Sequence, residues 1–299
     1  MNSDYDVIIV GGGAAGLSAA LVLSRARRSV AVVDAGQPRN APAARMHGYL
    51  SRDGLAPAEL LAMGRAEAVA YSTEHIPGIV TDIYRTEEGF RVELAEAGPL
   101  TARRVLATTG LRDDIQDLPG VRERWGIDLL HCPYCHGYEV RDQLLGVLGG
   151  TPNAVEHALL VRQWSSDVMY FPHTAELDET DVELLAARGI EIVAGAVTGF
   201  IVRDDRMHGV ELDYGRIVPR TAVFVRPRMV HNDRLVTGLG ASVDATGSVE
   251  VDATGRTSVP GVWIAGNAAN PRAQVITAAG EGSVAAIAIN NDPSPSITT

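Results

Sequence analysis

At 299 residues the chain is long enough for two domains of ordinary size, each with its own core. Its 37 acidic against 26 basic residues give a formal net charge of -11, which argues against nucleic acid as a partner, and no apolar run approaches a membrane span. All 26 basic residues are arginine, which excludes mechanisms that need a Schiff-base or phosphate-loop lysine.

Met1 leads within a few residues into a core strand with no charged and apolar leader, so a soluble, cytoplasmic protein is expected. Tyr5 to Val10 reads as a short apolar strand. Gly11-Gly12-Gly13-Ala14-Ala15-Gly16 follows at once and opens a helix from Ala14 to about Arg27. The next strand, Ser29 to Val33, ends at Asp34, eighteen residues past Gly16. Strand, G-x-G-x-x-G, helix and acid together are the signature of a dinucleotide site. The glycines allow a tight turn and close approach of a pyrophosphate to the helix N-terminus, and the carboxylate accepts ribose hydroxyls.

Turn-rich stretches follow at 36–40 and 48–54, then a helix from Pro57 to about Tyr71. Three alternating pieces, Ile79–Tyr84, Phe90–Ala95 and Leu100–Leu106, read as a β-meander ending in Ala107-Thr108-Thr109-Gly110. Arg103-Arg104 and Arg25 to Arg28 are expected on solvated faces, and Trp125 and Trp164 in packed positions.

Residues 131 to 139, His-Cys-Pro-Tyr-Cys-His-Gly-Tyr-Glu, hold the only two cysteines, Cys132 and Cys135. A lone Cys-X-X-Cys beside a strand-turn-helix unit reads first as a redox pair, with the field of a helix N-terminus favouring thiolate. Other readings stand beside it. Haem attachment through Cys-X-X-Cys-His would need export. Structural zinc would need His131 and His136 as further ligands in an awkward geometry, so no metal is expected. Two unreactive buried cysteines would sit oddly among His, Tyr and Glu. Toward the end, Gly261 to Ile264 reads as a strand leading into Ala265-Gly266-Asn267, and Ala273 to Asn290 as a small-residue helix. The Asn-, Pro- and Ser-rich tail from Asn290 is expected to fray.

These motifs, in this order over nearly the whole chain, resemble the two-domain flavoproteins of the low-molecular-weight thioredoxin reductase type. The resemblance implies an α/β fold of two Rossmann-like domains, each in three ββα layers. Residues 1–114 and 228–299 would form a discontinuous FAD domain, and 115–227 a nucleotide-domain-like insertion carrying the Cys pair. The residues implied against FAD are Gly11, Gly13, Ala14, Ala15, Gly16, Asp34, Ala35, Arg39, Asn40, His47, Thr109, Gly110, Gly266, Asn267, Gln274 and Val275. Asn267 replaces the aspartate of the family's Ala-Gly-Asp and keeps a hydrogen-bonding amide. A homodimer is the family's default.

The insertion departs from a reductase. Its phosphate loop stands as Gly149-Gly150-Thr151-Pro152-Asn153-Ala154, where Thr151 replaces a glycine and Pro152 removes a donor. After the strand Asp167 to Phe171 the run Glu176 to Asp181 is acidic, which repels a nucleotide 2′-phosphate. The expectation is a domain that kept its shape and lost NADPH.

The run after Cys135 resembles, more narrowly, the FAD-dependent dithiol oxidases that close disulfides in natural products such as gliotoxin, holomycin and romidepsin. Their reaction would take a small-molecule dithiol and O2 to a disulfide and H2O2. Cys132 would be attacked by substrate, Cys135 would lie against the flavin, His136 would take the thiol proton, and Glu139 would assist it. A reductase drawing on NADPH, ferredoxin or another flavin is the alternative.

Overall fold

The structure, a computed structural model, describes residues 4–293. It divides into two compact units, one of Met1–Ala41, Gly48–Arg112 and Met229–Thr299, the other of Pro42–His47 and Asp113–Arg228.

In the first unit, β1 (Tyr5–Val10) leads into α1 (Ala14–Arg25) and β2 (Val30–Asp34). Then come α2 (Pro57–Ala70), β3 (Glu74–Pro77), β4 (Val80–Thr86), β5 (Gly89–Leu94) and β6 (Leu100–Ala107). β1 is buried almost throughout because its sheet is covered on both faces, which is why it reads as an unbroken apolar run.

β7 (Leu111–Asp114) opens the second unit, followed by the single turn α3 (Val121–Arg124), β8 (Leu129–Leu130), α4 (Pro133–His136), β9 (Leu145–Leu148), α5 (Ala154–Val161) and β10 (Val168–Phe171). α6 (Glu179–Ala187), β11 (Glu191–Ile192), β12 (Val197–Arg203), β13 (Arg206–Leu212), β14 (Ile217–Val218) and β15 (Ala222–Val225) complete it. The chain returns through β16 (Arg228–His231), which pairs with β7, then α7 (Arg234–Thr237), β17 (Val262–Ile264) and α8 (Val275–Asn291).

The first unit's seven-stranded sheet runs β3-β2-β1-β6-β5-β4, with β17 also on β6. The pairs from β3 to β6 and β17 are parallel; β4, β5 and β6 form the expected antiparallel meander. The second unit repeats the plan in a parallel sheet β11-β10-β9-β15-β8, with a separate antiparallel sheet β12-β13-β14. β1 in the first unit and β9 in the second each run into a glycine-rich turn and a helix, the arrangement of a doubly wound nucleotide fold. Buried Arg124 joins the layers of the second unit, donating to both carboxylate oxygens of Asp128 at 2.9 and 2.6 Å and to Asp205 at 2.5 Å.

Three expectations are corrected. Residues 42–47 were assigned with the first 114 residues to the FAD domain; they belong with the second unit, where Met46 is buried and Pro42 lies against Gly126. Arg104 is not on a solvated face: it is 8% exposed, and its Nε meets Asp292 Oδ2 at 3.2 Å. That buried ion pair also fixes the chain after α8, so the helix continues through Asn291 where fraying was expected from Asn290. The rest of the Pro- and Ser-rich tail, 294–299, lies outside the described residues.

Candidate redox and dinucleotide sites

In the first unit the loop after β1 is shaped by contacts that leave no room for side chains. Gly11 has φ of 107°, and Thr108 Oγ1 donates to its carbonyl at 2.7 Å. A Cβ on Gly12 would stand 2.7 Å from Asp34 Oδ2, so only glycine lets that carboxylate approach the loop. A Cβ on Gly13 would meet nothing within 4 Å. Gly13 caps α1 without a side-chain bond, and no acidic residue lies in the first turn. The main-chain donors there face open space with an uncompensated helix field, a fit for a pyrophosphate.

Asp34 ends β2, with His75 Nε2 3.9 Å from its Oδ2. Burial, then the Arg65 charge, holds His75 below the ordinary histidine range. Ala35 is exposed beside Gly36, which has φ of 70°. Ala14 lines a cleft of about 260 Å³ toward α2, whereas Ala15 is buried against α8, where Gly282 and Gly266 approach it. Gly16 packs on the Gly11 carbonyl. At the end of β6, Thr109 Oγ1 donates to the Asn232 carbonyl at 2.7 Å, and Gly110 has φ of 66°.

The Asn267 amide nitrogen donates to the carbonyls of Asn270 and Ala273 at 3.1 and 3.0 Å, and its oxygen accepts from Arg39 at 3.4 Å. The amide therefore holds the loop leading to α8. Asn40 is half-buried on the Arg39 side, and Gln274 and Val275 are the cap and first residue of α8. Sequence reading missed Glu281, whose two carboxylate oxygens accept from Gly266 N–H at 3.0 Å and Asn270 Nδ2 at 2.8 Å. Its place on the inner side of a small-residue helix was the only signal.

In the second unit Cys132 and Cys135 are joined as a disulfide with Cα atoms 5.2 Å apart. Buried β8 delivers the pair, Pro133 starts α4, and the N–H groups of Cys135 and His136 both donate to the Cys132 carbonyl at 3.1 Å. α4 is one turn long, so the helix field invoked from the sequence contributes little, and the ring closure rests on the tight turn. Gly137 is obligatory, because a Cβ there would lie 2.8 Å from the Trp164 ring. Trp164 in turn meets Tyr134 edge-on at 5.6 Å, a packed position as expected.

Three titratable groups gather beside the pair. His136 is half-buried and held below the ordinary histidine range, first by burial, while Glu139 favours its protonated form and His47 opposes it. His47, set beside the flavin by sequence reading, belongs to the second unit with its Nε2 3.4 Å from Glu139 Oε1. On the other side, His131 Nδ1 lies 3.3 Å from the Val225 carbonyl and its ring 6.1 Å from that of His157. His157, missed from the sequence, is 5% exposed and bonded to the His131 main chain; burial, then His131 and Arg226, lowers its pKa to about 4.

The second phosphate loop is differently filled. Gly150 has φ of 83°, and a Cβ there would stand 2.7 Å from Gln116 Nε2, which donates to the Gly149 carbonyl at 3.0 Å. Asn153 caps α5 in the left-handed region, and Glu156 occupies the first turn. Burial, then the charges of Asp178 and Glu156, holds Asp181 above its ordinary value. Among the described residues no three His, Cys, Asp or Glu side chains are grouped to hold a metal ion, and no helix is long and apolar enough to cross a membrane.

A glycine-rich dinucleotide loop in one unit and a Cys-X-X-Cys disulfide in the other define an FAD-dependent thiol/disulfide oxidoreductase. The chain belongs to the pyridine nucleotide-disulphide oxidoreductase family, whose model matches residues 5–282. It is similar to thioredoxin reductase sirT of Leptosphaeria maculans, 29% identical over 311 residues that cover 96% of this chain and 94% of that protein. Thioredoxin reductase tcpT of Claviceps purpurea is 38% identical over 151 residues, 49% of this chain and 47% of its own, so the match spans about half the length of each. Among solved structures, HlmI superposes with a TM-score of 0.94 at 55% identity, over 95% of this chain and 91% of that one. Thioredoxin reductase from Streptococcus pyogenes superposes at 0.88 with 25% identity, over 97% and 98%.

Proposed function

We propose that the protein oxidises a small-molecule dithiol through Cys132–Cys135, with O2 as final acceptor, so that R(SH)2 + O2 gives RS2 + H2O2. The observation that carries this reading is the second phosphate loop. Gln116 fills the turn where a pyrophosphate would approach, and Glu156, Asp178 and Asp181 oppose its charge. Electrons then enter through the disulfide. The similarity to HlmI, 55% identical, supports the narrower choice of a natural-product dithiol.

In this reading the unit built on β1 would hold FAD through the N–H groups of Gly11 to Gly16, the Asp34 carboxylate and the loops of Ala35–Asn40, Thr109–Gly110, Gly266–Asn267 and Gln274–Val275. Bound there, FAD would supply a two-electron acceptor that O2 can reoxidise. The second unit does the sulfur chemistry. Neutral His136 takes a proton from a substrate thiol, and the thiolate attacks Cys132 Sγ. The S–S bond breaks, Cys135 leaves as thiolate and takes that proton from His136. His136, neutral again, takes the proton of the second substrate thiol, whose thiolate attacks the substrate sulfur of the mixed disulfide; Cys132 leaves as thiolate and takes that second proton, so the substrate is oxidised by two electrons and the enzyme pair is reduced by two.

An oxygen electrode tests this with dithiothreitol. The expected result is one O2 consumed and one H2O2 formed per dithiol, lost in Cys132→Ser. Oxygen uptake no faster than that of free FAD would end the proposal. The resemblance also implies a homodimer, which sedimentation equilibrium would test.

A further inference from the structure

The disulfide is tied into the core of the second unit through the residue before it. Cys132 follows buried β8, and its own carbonyl accepts from the N–H groups of Cys135 and His136 at 3.1 Å. On its other side stands the peptide that joins it to His131. His157, on α5, is 5% exposed, and its ring is bonded to the His131 main chain. The Nδ1 atom of that ring is buried without a partner, so the bond is made through Nε2. The bond favours the protonated ring, so Nε2–H is the donor and the His131 carbonyl the acceptor. Phe224 holds the imidazole from the side, edge-on at 6.0 Å. The His131 ring lies 6.1 Å away, with its Nδ1 3.3 Å from the Val225 carbonyl. Phe224 and Val225 are on β15, which pairs with β8 through Phe224 and Leu130. An imidazole with a buried, unpartnered nitrogen is a costly way to fill a core. Phenylalanine would fill the same place without that cost and would lack only the bond to the His131 carbonyl.

We propose that His157 is a positioning residue of the redox centre, hooking the His131–Cys132 peptide so that disulfide exchange moves the Cys132 sulfur and not its main chain. A peptide unit is planar, so a bond to the His131 carbonyl also fixes the direction of the Cys132 N–Cα bond. The two N–H groups on the Cys132 carbonyl fix the main chain beyond it. What is left free is the side chain, whose Sγ is attacked and must later return to Cys135. Held at one end by α5 and at the other by its own turn, the pair keeps its two sulfurs at a high effective concentration. The inference concerns the same pair as the function proposed above, and its test uses neither O2 nor turnover.

The test equilibrates the full-length, FAD-loaded protein, without air, in mixtures of reduced and oxidised dithiothreitol. In that exchange the dithiol loses two electrons and two protons as its own disulfide closes, and Cys132–Cys135 gains them as two thiols. The reduced fraction is read by alkylation and mass spectrometry. His157→Phe keeps a ring against Phe224 and removes the donor, whereas His157→Gln keeps a donor. The expected result in His157→Phe is a loss of disulfide stability of about tenfold, a rise in potential of about 30 mV, most of it restored in His157→Gln. An unmoved potential in His157→Phe, whatever happens to its Tm, would overturn the proposal and leave His157 a core residue; an equal rise in both variants would overturn it too. If His157→Phe does not fold, the wild type decides. Its His157 Nε2–H is expected as a slowly exchanging nitrogen-coupled resonance that shifts when the pair is reduced, and one that exchanges like free histidine, or ignores reduction, sinks the inference. If the wild type turns over no dithiol with O2, the proposed function fails on that ground alone, and this equilibrium still decides the role of His157.

Discussion

The two glycine-rich loops occupy the same topological place and are filled differently. After β1, Gly13 opens on empty space, the first turn of α1 carries no acid, and Asp34 stands against Gly12. After β9, Gln116 stands where the backbone should be open, Asn153 caps α5 in the left-handed region, and Glu156 already sits in the helix field. The lesson is that strand order and helix placement can stay alike while the loops between them differ, because the sheet is held by its buried core, which the loop does not supply.

The largest effect is expected at the disulfide. If electrons enter through Cys132–Cys135 and the second loop is closed, Cys132→Ser lowers dithiol turnover by about 10³-fold or more, read by oxygen uptake, while bound flavin absorbance stays. Residual turnover near wild type would mean another entry point.

The helix of the second loop still has a task, since His157 on α5 bonds the main chain beside Cys132. With its pKa lowered to about 4, the folded state binds fewer protons than the unfolded chain, so this contribution is full above about pH 6.5 and is lost as pH falls toward 4. The loss should reach about 3 kcal/mol. Urea unfolding of wild type and His157→Asn across that range checks it, the difference between the two curves shrinking as the pH is lowered.

In the first loop, Asp34→Ala should weaken FAD retention by roughly 10- to 100-fold, the loss of charge-assisted hydrogen bonds of about 1.5–3 kcal/mol, measured by flavin release on dilution. The corresponding change in the second unit is expected to be small. Gly150→Ala forces a Cβ at φ of 83° against Gln116 and should cost about 1–2 kcal/mol. In the Gln116→Ala background the cost should fall, leaving the backbone strain alone. Equal costs in both backgrounds would show that Gln116 does not fill the turn.

Much of this was legible in the sequence. The first loop and its acid are local features, as are the meander and the Cys-X-X-Cys, and the elements beside them lie within a few residues of their expected bounds. What could not be read depends on contacts far apart in the chain. Gln116 lies in an aperiodic stretch before α3, and only the folded unit brings it to Gly150. Nothing in residues 42–47 encodes that Pro42 docks on Gly126 or that His47 meets Glu139. Arg104 reads as half of a surface pair until Asp292, 188 residues on, meets it in the interior.

The most direct measurement of the central claim is anaerobic. Flavin absorbance of the purified protein is followed after adding NADPH to one cuvette and dithiothreitol to another. Bleaching by the dithiol alone, reversed by air with peroxide released, is the predicted result. Rapid bleaching by NADPH would mean that the Gly149–Ala154 loop still takes a nucleotide and that the protein works as a reductase, which would contradict the account.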